Sequence, residues 1–277
     1  MVVDAGDALR LIMIVMSSFS IFFSLLLVVT YALFKRYAPH STVLAFSVSA
    51  FLLSASILIG PIVGFDALAK NNSTVCLAQG FLIQFFGFSA ISYYVSIVIS
   101  LFLMVELKDL RIQRRSVRLS FQLSHFSPVV SLGLALFVLL EGQVQFRDLW
   151  CWIAADPPYL ELSFFYGPMF LFAVVASILW IRIVWLLSRS NSRDAFRALL
   201  RHLIFCGVFV VLFAIMFAHR LYNLLSGGKD YFALEVFHIL ALGGVGTWMF
   251  LIFGISSHNL SLWKRALKLG DANEEIN

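Results

Sequence analysis

Seven long apolar segments, separated by short polar gaps, constrain the fold of this chain more than any other feature of its sequence. A helix that crosses a bilayer needs ~20 mostly apolar residues, and each segment reaches that length. Of the 277 residues, 61% are hydrophobic and 13% are charged, about half the charged fraction of soluble domains. The sequence therefore predicts an all-α membrane protein, a seven-transmembrane helix bundle. The segments lie at about 8–34, 42–68, 76–105, 121–140, 160–187, 200–225 and 232–257.

The short gaps predict one bundle over residues 1–257, with no second domain. Residues 258–277 are predicted to form a short amphipathic juxtamembrane helix, which follows helix 7, and a short acidic tail. In this helix, Leu260, Trp263 and Leu267 share one side, whereas Lys264, Arg265 and Lys268 lie largely on another. This pattern is typical of a helix that lies along the membrane surface.

The basic residues predict the orientation of the bundle. Fifteen of the 20 Lys and Arg residues lie in or beside the gaps that follow segments 1, 3, 5 and 7. Cytoplasmic loops gather Lys and Arg, so we expect the N-terminus outside and a multi-pass protein of the plasma membrane. Lipid contact explains most of the net charge of +5, and no nucleic acid is expected as a partner. The basic residues that we expect to dock an acidic cytoplasmic partner are Arg111, Arg114, Arg115, Arg193, Arg197, Lys264 and Arg265.

Two of the three cysteines fall at matching outer positions. Cys76 lies at the outer end of segment 3 and Cys151 in the second outer gap, while Cys206 lies inside segment 6. Disulfides persist outside the cell, so we expect a Cys76–Cys151 bridge; the alternative is two unpaired thiols. The bridge would make the stretch around Cys151 a lid, with Trp150 and Trp152 expected at the membrane interface.

Polar residues within the segments predict a pocket in the outer half of the bundle, because intramembrane polar groups usually face the interior or a cavity. The candidates for ligand contact are Gln84, Tyr166, His219, Arg220, Asn223, Glu235 and His238. Each has a structural alternative. Gln84 could bond between helices, the two histidines could be satisfied interior groups, and Arg220 could form a resting ion pair with Glu235.

Several motifs together resemble a known family of receptors. The stretches "CLAQGFLIQFFGF" (76–88), "LWCWI" (149–153), "FFYGPMF" (164–170), "AHRLYNLL" (218–225) and "FLIFGISSHNLSLWKRAL" (250–267) are similar, in order, to motifs of the slime-mould cyclic-AMP receptor and plant receptor-like group, sometimes called class E. This group belongs to the G-protein-coupled receptors. The resemblance implies an extracellular small-molecule ligand, such as a small anion or cyclic AMP, and activation of a heterotrimeric G protein.

Two other function classes remain as alternatives. A seven-span, metal-dependent hydrolase would need three or more His, Asp or Cys ligands at one depth, and the six histidines are scattered over both sides. A small-solute transporter built from inverted repeats would have matching interrupted helices in its two halves. We therefore expect a receptor that is not an enzyme and that needs no cofactor. In the outer gap before segment 3, Asn72 heads a glycosylation acceptor sequence, for which we predict partial occupancy.

Overall fold

The structure is a computed structural model in which α-helices make up most of the chain. Nine α-helical elements, two π-helices and two strands are assigned among its described residues. The structure describes residues 5–34, 40–64, 68, 74–107, 115–116, 119, 122, 126–147, 149–154, 159–189, 193–226, 231–255, 259 and 263–264.

The first four helices precede a small hairpin, and the rest follow it. They are α1 (Ala5–Phe34), α2 (His40–Val63), α3 (Thr74–Glu106) and α4 (Ser127–Leu140), followed by strands β1 (Val144–Arg147) and β2 (Trp150–Ile153). A single α-turn (Tyr159–Glu161) and a π-helix (Leu162–Tyr166) then lead into α5 (Gly167–Arg189). The chain continues through α6 (Arg193–Leu225), α7 (Phe232–Gly243), α8 (Val245–Met249) and a second π-helix (Phe250–Gly254).

The helices bear out an all-α membrane protein. Within the described residues, five helical stretches are long and apolar enough to cross a bilayer, and α7 together with the α8 segment passes the same test as a pair bent by 60°. In the predicted segment 121–140, residues 121 and 123–125 lie outside the described residues, and α4 begins at Ser127. Its 14 residues extend about 21 Å, which is less than the ~30 Å of the hydrocarbon core.

The bend in the last predicted segment lies at its glycines. Gly246 packs against α1, where a Cβ atom at that position would collide with the Ser24 hydroxyl. Its N–H donates to Ser20 Oγ at 2.8 Å, and Ser20 Oγ lies 2.7 Å from Ser54 Oγ of α2. The glycines thus form the small-residue packing surface that lets two helix backbones approach. The sequence did not predict the bend itself.

The stretch after the last span returns to α1. The indole Nε1–H of Trp263 donates to Thr30 Oγ1 at 3.1 Å, whereas the Lys264 side chain is exposed. The rest of the predicted amphipathic helix lies outside the described residues, so its extent stays a prediction.

Candidate functional site

A β-hairpin covers one end of the bundle, in a gap for which the sequence analysis predicted no strands. Its strands β1 and β2 are antiparallel, with Phe146 opposite Cys151. A disulfide joins Cys76 of α3 to Cys151, with an S–S distance of 2.02 Å and a Cα–Cα distance of 5.2 Å. Cys206 is free and buried. The predicted bridge is therefore confirmed, and it fixes the hairpin to α3.

Gln79 provides a second attachment for the hairpin, which the sequence analysis missed. Its Oε1 accepts the backbone N–H of Cys151 at 3.0 Å, and its Nε2 donates to the carbonyl of Ser56 on α2 at 3.1 Å. Because Gln79 lies three residues after Cys76, both side chains are on the same face of α3. That spacing was the available signal.

Glycines beneath the hairpin permit this close approach. A Cβ atom at Gly80 would collide with the Val144 side chain, and one at Gly60 would lie 3.0 Å from the Leu149 carbonyl oxygen. The hairpin therefore packs against glycine positions of α2 and α3, where the absence of a Cβ atom leaves room for it.

The two tryptophans beside Cys151 are buried, so their predicted position at the membrane interface is wrong. Trp150 is 6% exposed and Trp152 is 2% exposed. Alternate residues of a strand share a face, so Cys151 can bond to α3 while both indoles face the interior. The Trp152 ring meets Phe165 edge-on, with ring centroids 4.8 Å apart.

Below these indoles lies a cavity, here called the hairpin cavity. Its lining is almost entirely apolar or aromatic and includes Phe46, Phe209, Phe213 and Met216. The space open to a water-sized sphere is about 30 Å³, which is room for about two water molecules. The cavity is therefore nearly closed in this conformation.

Four nitrogen-bearing side chains are part of the lining, namely Arg220, His238, Trp150 and Trp152. The guanidinium carbon of Arg220 lies 5.8 Å from the centroid of the Tyr166 ring. The Trp152 Nε1–H is buried and has no hydrogen-bond partner among the described residues. A guanidinium and an indole N–H can only donate hydrogen bonds.

His238 is oriented by a chain of polar side chains behind the cavity. The Nδ1 atoms of His219 and His238 lie 2.9 Å apart, and Asn223 Nδ2 lies 3.3 Å from His219 Nε2. In this orientation the Asn223 amide donates, so His219 Nε2 accepts and the His219 proton is on Nδ1. His219 then donates to His238 Nδ1, which leaves Nε2 as the N–H of a neutral His238. This chain of hydrogen bonds therefore makes His238 a further donor in the lining.

The predicted pocket residues separate into three groups. Tyr166, Arg220 and His238 line the hairpin cavity, and the buried His219 and Asn223 stand behind His238. The other two predicted residues lie outside the lining. Gln84 Nε2 donates to the Phe164 carbonyl at 2.8 Å, which is the interhelical bond weighed from the sequence. Glu235 is half-buried in the first turn of α7, and its ion pair with Arg220 stays a prediction.

A π-helix places Tyr166 in this site. Phe165 and Tyr166 are the buried residues of the π-helix Leu162–Tyr166, which ends just before Pro168. Proline lacks the N–H that an α-helical bond would use, and π-helical turns are frequent at functional sites. The sequence analysis did not predict this π-helix.

A second cavity, here called the distal cavity, lies toward the opposite end of α3. It has about 100 Å³ of space for water-sized spheres and is lined by Thr42 and Val43 of α2, residues 97–104 of α3 in part, and Leu199 and His202 of α6.

An aromatic cluster lies between the two cavities, centred on Tyr94 of α3. The Tyr94 ring contacts Phe205, Phe209 and Phe213 of α6 at centroid distances of 5.6, 5.5 and 5.2 Å. Its hydroxyl donates to the Cys206 carbonyl at 2.9 Å. Since Phe209 and Phe213 also line the hairpin cavity, the cluster connects that cavity to the middle of α6.

Little of the predicted cytoplasmic face falls within the described residues. Arg115 and Lys264 are exposed, and Arg193 and Arg197 belong to α6, although their side chains lie outside the described part. Arg111, Arg114 and Arg265 lie outside the described residues, as does Asn72. Within the described part of the chain, no three His, Cys, Asp or Glu side chains group as metal ligands.

Comparison with known proteins identifies the family. Residues 1–240 match the family model described as slime mold cyclic AMP receptor. A search of curated proteins finds no match. The family match covers most of the chain and includes the disulfide, the hairpin and most of the hairpin cavity. The chain therefore belongs to the slime mold cyclic AMP receptor family and is a membrane receptor-like protein of that family.

Proposed function

We propose that this chain is a cell-surface receptor with seven transmembrane helices, which binds an extracellular anionic ligand in the hairpin cavity and activates a heterotrimeric G protein. The observation that carries this proposal is a set of N–H donors, which includes Arg220, His238 and Trp152, in a lining whose other residues are mostly apolar or aromatic. Donors in an apolar cavity favour a ligand that brings hydrogen-bond acceptors and negative charge.

The proposed orientation places the hairpin outside the cell. Seven spans result when α4 counts as a short span and the bent α7–α8 pair counts as one. An odd number of spans puts the termini on opposite sides, and the excess of Lys and Arg beside alternate gaps favours the N-terminus outside. The Cys76–Cys151 bridge supports the same orientation, because disulfides persist on the oxidising side of the membrane.

Cyclic AMP is the first ligand to test, because the family is named for it. Its phosphate would accept hydrogen bonds from Arg220, and its adenine ring offers an aromatic face to Trp150 and Trp152. Drug-sized ligands occupy pockets of ~300–1,000 Å³, far more than the closed cavity holds. A nucleotide can therefore bind only if the surrounding helices move apart, which couples binding to a change in the bundle.

The aromatic cluster provides a path for this change to reach the cytoplasmic side. Phe209 and Phe213 belong both to the lining and to the cluster around Tyr94. A ligand that displaces them would loosen α6 from α3. The inner end of α6 would then move outward and open a site for the G protein, flanked by the basic residues around Arg115. The ligand must bind this open arrangement more tightly than the resting one.

Arg220 and Glu235 form the switch at the ligand end in this proposal. In the resting state they pair, because a lone intramembrane charge is costly. An anionic ligand takes Arg220 from Glu235, and the exchange favours the movement of α6. The charge-swapped double mutant Arg220→Glu, Glu235→Arg should then recover the stability lost in each single mutant but not the ligand response. Equal stability of the parent and both single mutants would disprove the pair.

Thermal unfolding of the purified protein in nanodiscs tests the ligand site. Cyclic AMP should raise the melting temperature, whereas adenosine, which lacks the phosphate, should not. Arg220→Gln should abolish the stabilisation, since a charge-assisted hydrogen bond contributes ~1.5–3 kcal/mol. Trp152→Phe, which removes one N–H and keeps an aromatic ring, should weaken it.

Arg10 offers the matched control. It lies at the same end of the bundle, where it donates to the Pro61 carbonyl at 2.9 Å, and it does not line the cavity. Arg10→Gln should keep the response to cyclic AMP. Equal stabilisation by adenosine, or a normal response in Arg220→Gln, would reject an anion site at Arg220.

A further inference from the structure

Two arginines on the outer surface of α5 converge on one tryptophan. The guanidinium carbons of Arg182 and Arg189 lie 4.6 and 4.2 Å from the centroid of the Trp185 ring. Arg182 lies three residues before Trp185 and Arg189 four residues after it, so the two side chains approach the indole from opposite directions along the helix. Cation–π contact of this kind holds both guanidiniums at one place.

The group lies on the helix face that points away from the bundle. Ile178 and Ile181 just before it are each 61% exposed, and Trp185 is 39% exposed. Both arginines are exposed, whereas Ile183 on the opposite face is fully buried. In a membrane protein, an exposed apolar face of a spanning helix is in contact with lipid.

Arg182 is unusually deep for an arginine in contact with lipid. The spanning stretch Leu162–Arg189 has 28 residues, about 42 Å, which matches a bilayer with its headgroup layers. Arg182 lies seven residues before its end, about 10 Å inward and near the edge of the hydrocarbon core. Charges at such depth usually face the bundle interior or form pairs. Neither arginine has an ion pair with another described residue.

We propose that Arg182, Trp185 and Arg189 form a binding site for the headgroup phosphate of an anionic phospholipid in the cytoplasmic leaflet. The leaflet assignment rests on the orientation given in the proposed function. Both guanidiniums contact one indole, so their positive charges lie on one patch of the surface, and a headgroup phosphate is attracted to both. Arginine binds phosphate through paired N–H donors, and Trp185 is of the residue type enriched at the membrane interface. The lipid tails would lie along the stripe that contains Ile178 and Ile181.

Native mass spectrometry of the full chain in neutral detergent tests this site. Phosphatidylinositol 4-phosphate, phosphatidylserine and phosphatidylcholine are each added at the same concentration, in 0.15 M salt. We expect the parent to retain the two anionic lipids and not phosphatidylcholine. Arg182→Gln/Arg189→Gln should bind them at least about tenfold more weakly, because each arginine loses charge-assisted hydrogen bonds. Trp185→Leu should weaken binding less, since both charges remain.

The matched control removes the same charge elsewhere. Arg115→Gln/Lys264→Gln changes two exposed basic residues that lie outside the site, and charges more distant than ~8 Å are screened at this salt concentration. Equal loss in the two double mutants would overturn the proposal in favour of general charge attraction. Loss of a dimer, rather than loss of lipid, in Arg182→Gln/Arg189→Gln would also overturn the proposal, because a second copy of the chain would then occupy this face.

Separate measurements report on folding, on lipid binding and on the response to cyclic AMP. The melting temperature of each variant in the same detergent identifies any that fails to fold, and the Trp185→Leu variant then tests the site with both charges intact. Arg220→Gln should bind anionic phospholipid as the parent does. If the parent retains anionic lipid no better than phosphatidylcholine, the lipid site is rejected, whereas the response to cyclic AMP is judged independently by the melting experiment.

Discussion

The hydrogen bond from Tyr94 to the Cys206 carbonyl gives the sharpest test of how α6 is held at rest. Tyr94→Phe removes one hydroxyl and keeps the ring, so the aromatic contacts with Phe205, Phe209 and Phe213 remain. A buried hydrogen bond contributes ~0.5–1.5 kcal/mol. If the bond exists only in the resting state, its loss shifts the equilibrium toward the displaced state by that amount.

This free energy corresponds to a roughly two- to tenfold rise in the displaced population without ligand, since 1.4 kcal/mol is a factor of ten. Spin labels at Glu106 and Leu200, both exposed and toward the ends of α3 and α6 that lie away from the hairpin, report the distance between these helices in nanodiscs. Double electron–electron resonance then measures the fraction of molecules with the longer distance. We expect that fraction to rise in Tyr94→Phe.

The neighbouring Tyr93 is the matched control. It is also buried, and its hydroxyl has no hydrogen bond to another described residue. Tyr93→Phe should leave the distance distribution of the parent unchanged. If Tyr94→Phe lowers the melting temperature but leaves the distribution unchanged, the bond persists in both states and does not restrain α6. An equal shift in both variants would also refute the reasoning.

Three further predictions concern the scaffold of the site. Gly246→Ala should lower the free energy of unfolding by about 1–3 kcal/mol through overpacking. Gly133→Ala, with open space at its Cβ position, should raise it by up to ~1 kcal/mol. Thermal melts that rank the two variants equally would contradict the packing of α8 on α1. Cys151→Ser opens a disulfide loop with a sequence separation of 75 and should cost about 4 kcal/mol; non-reducing melts measure this, and a loss no larger than that of Cys206→Ser would contradict it. Asn72 should carry a glycan in part of the population made in a eukaryotic host; unchanged gel mobility after glycosidase treatment would reject that.

The spans were predictable because they depend on composition averaged over some twenty residues. The 30-residue α1 and the 33-residue α3 begin and end close to the predicted boundaries for that reason. The disulfide was predictable because the orientation expected from the basic residues puts Cys76 and Cys151 on one side of the membrane and Cys206 inside a span. Neither inference required knowledge of which residues meet in three dimensions.

The details of the site depend on such contacts, and sequence reasoning missed them. The sequence analysis placed Trp152 at the membrane interface. It missed the hairpin that turns this residue inward, because each strand has only four residues. Gln79 was one polar residue among several, and its role appears only when α2 and the hairpin meet at its amide. The bend at Gly244 likewise lies beside the contact between Gly246 and α1. Local patterns do not encode these long-range contacts.

We propose that an anion at Arg220 activates a G protein across the membrane. Nucleotide exchange on purified heterotrimeric G proteins, one from each Gα subfamily, tests it most directly with the receptor in nanodiscs. Cyclic AMP should accelerate exchange by the parent and by Arg10→Gln, and should have no effect on Arg220→Gln. Exchange that stays at its basal rate with every Gα subfamily, in a preparation whose melting temperature cyclic AMP raises, would contradict the claim.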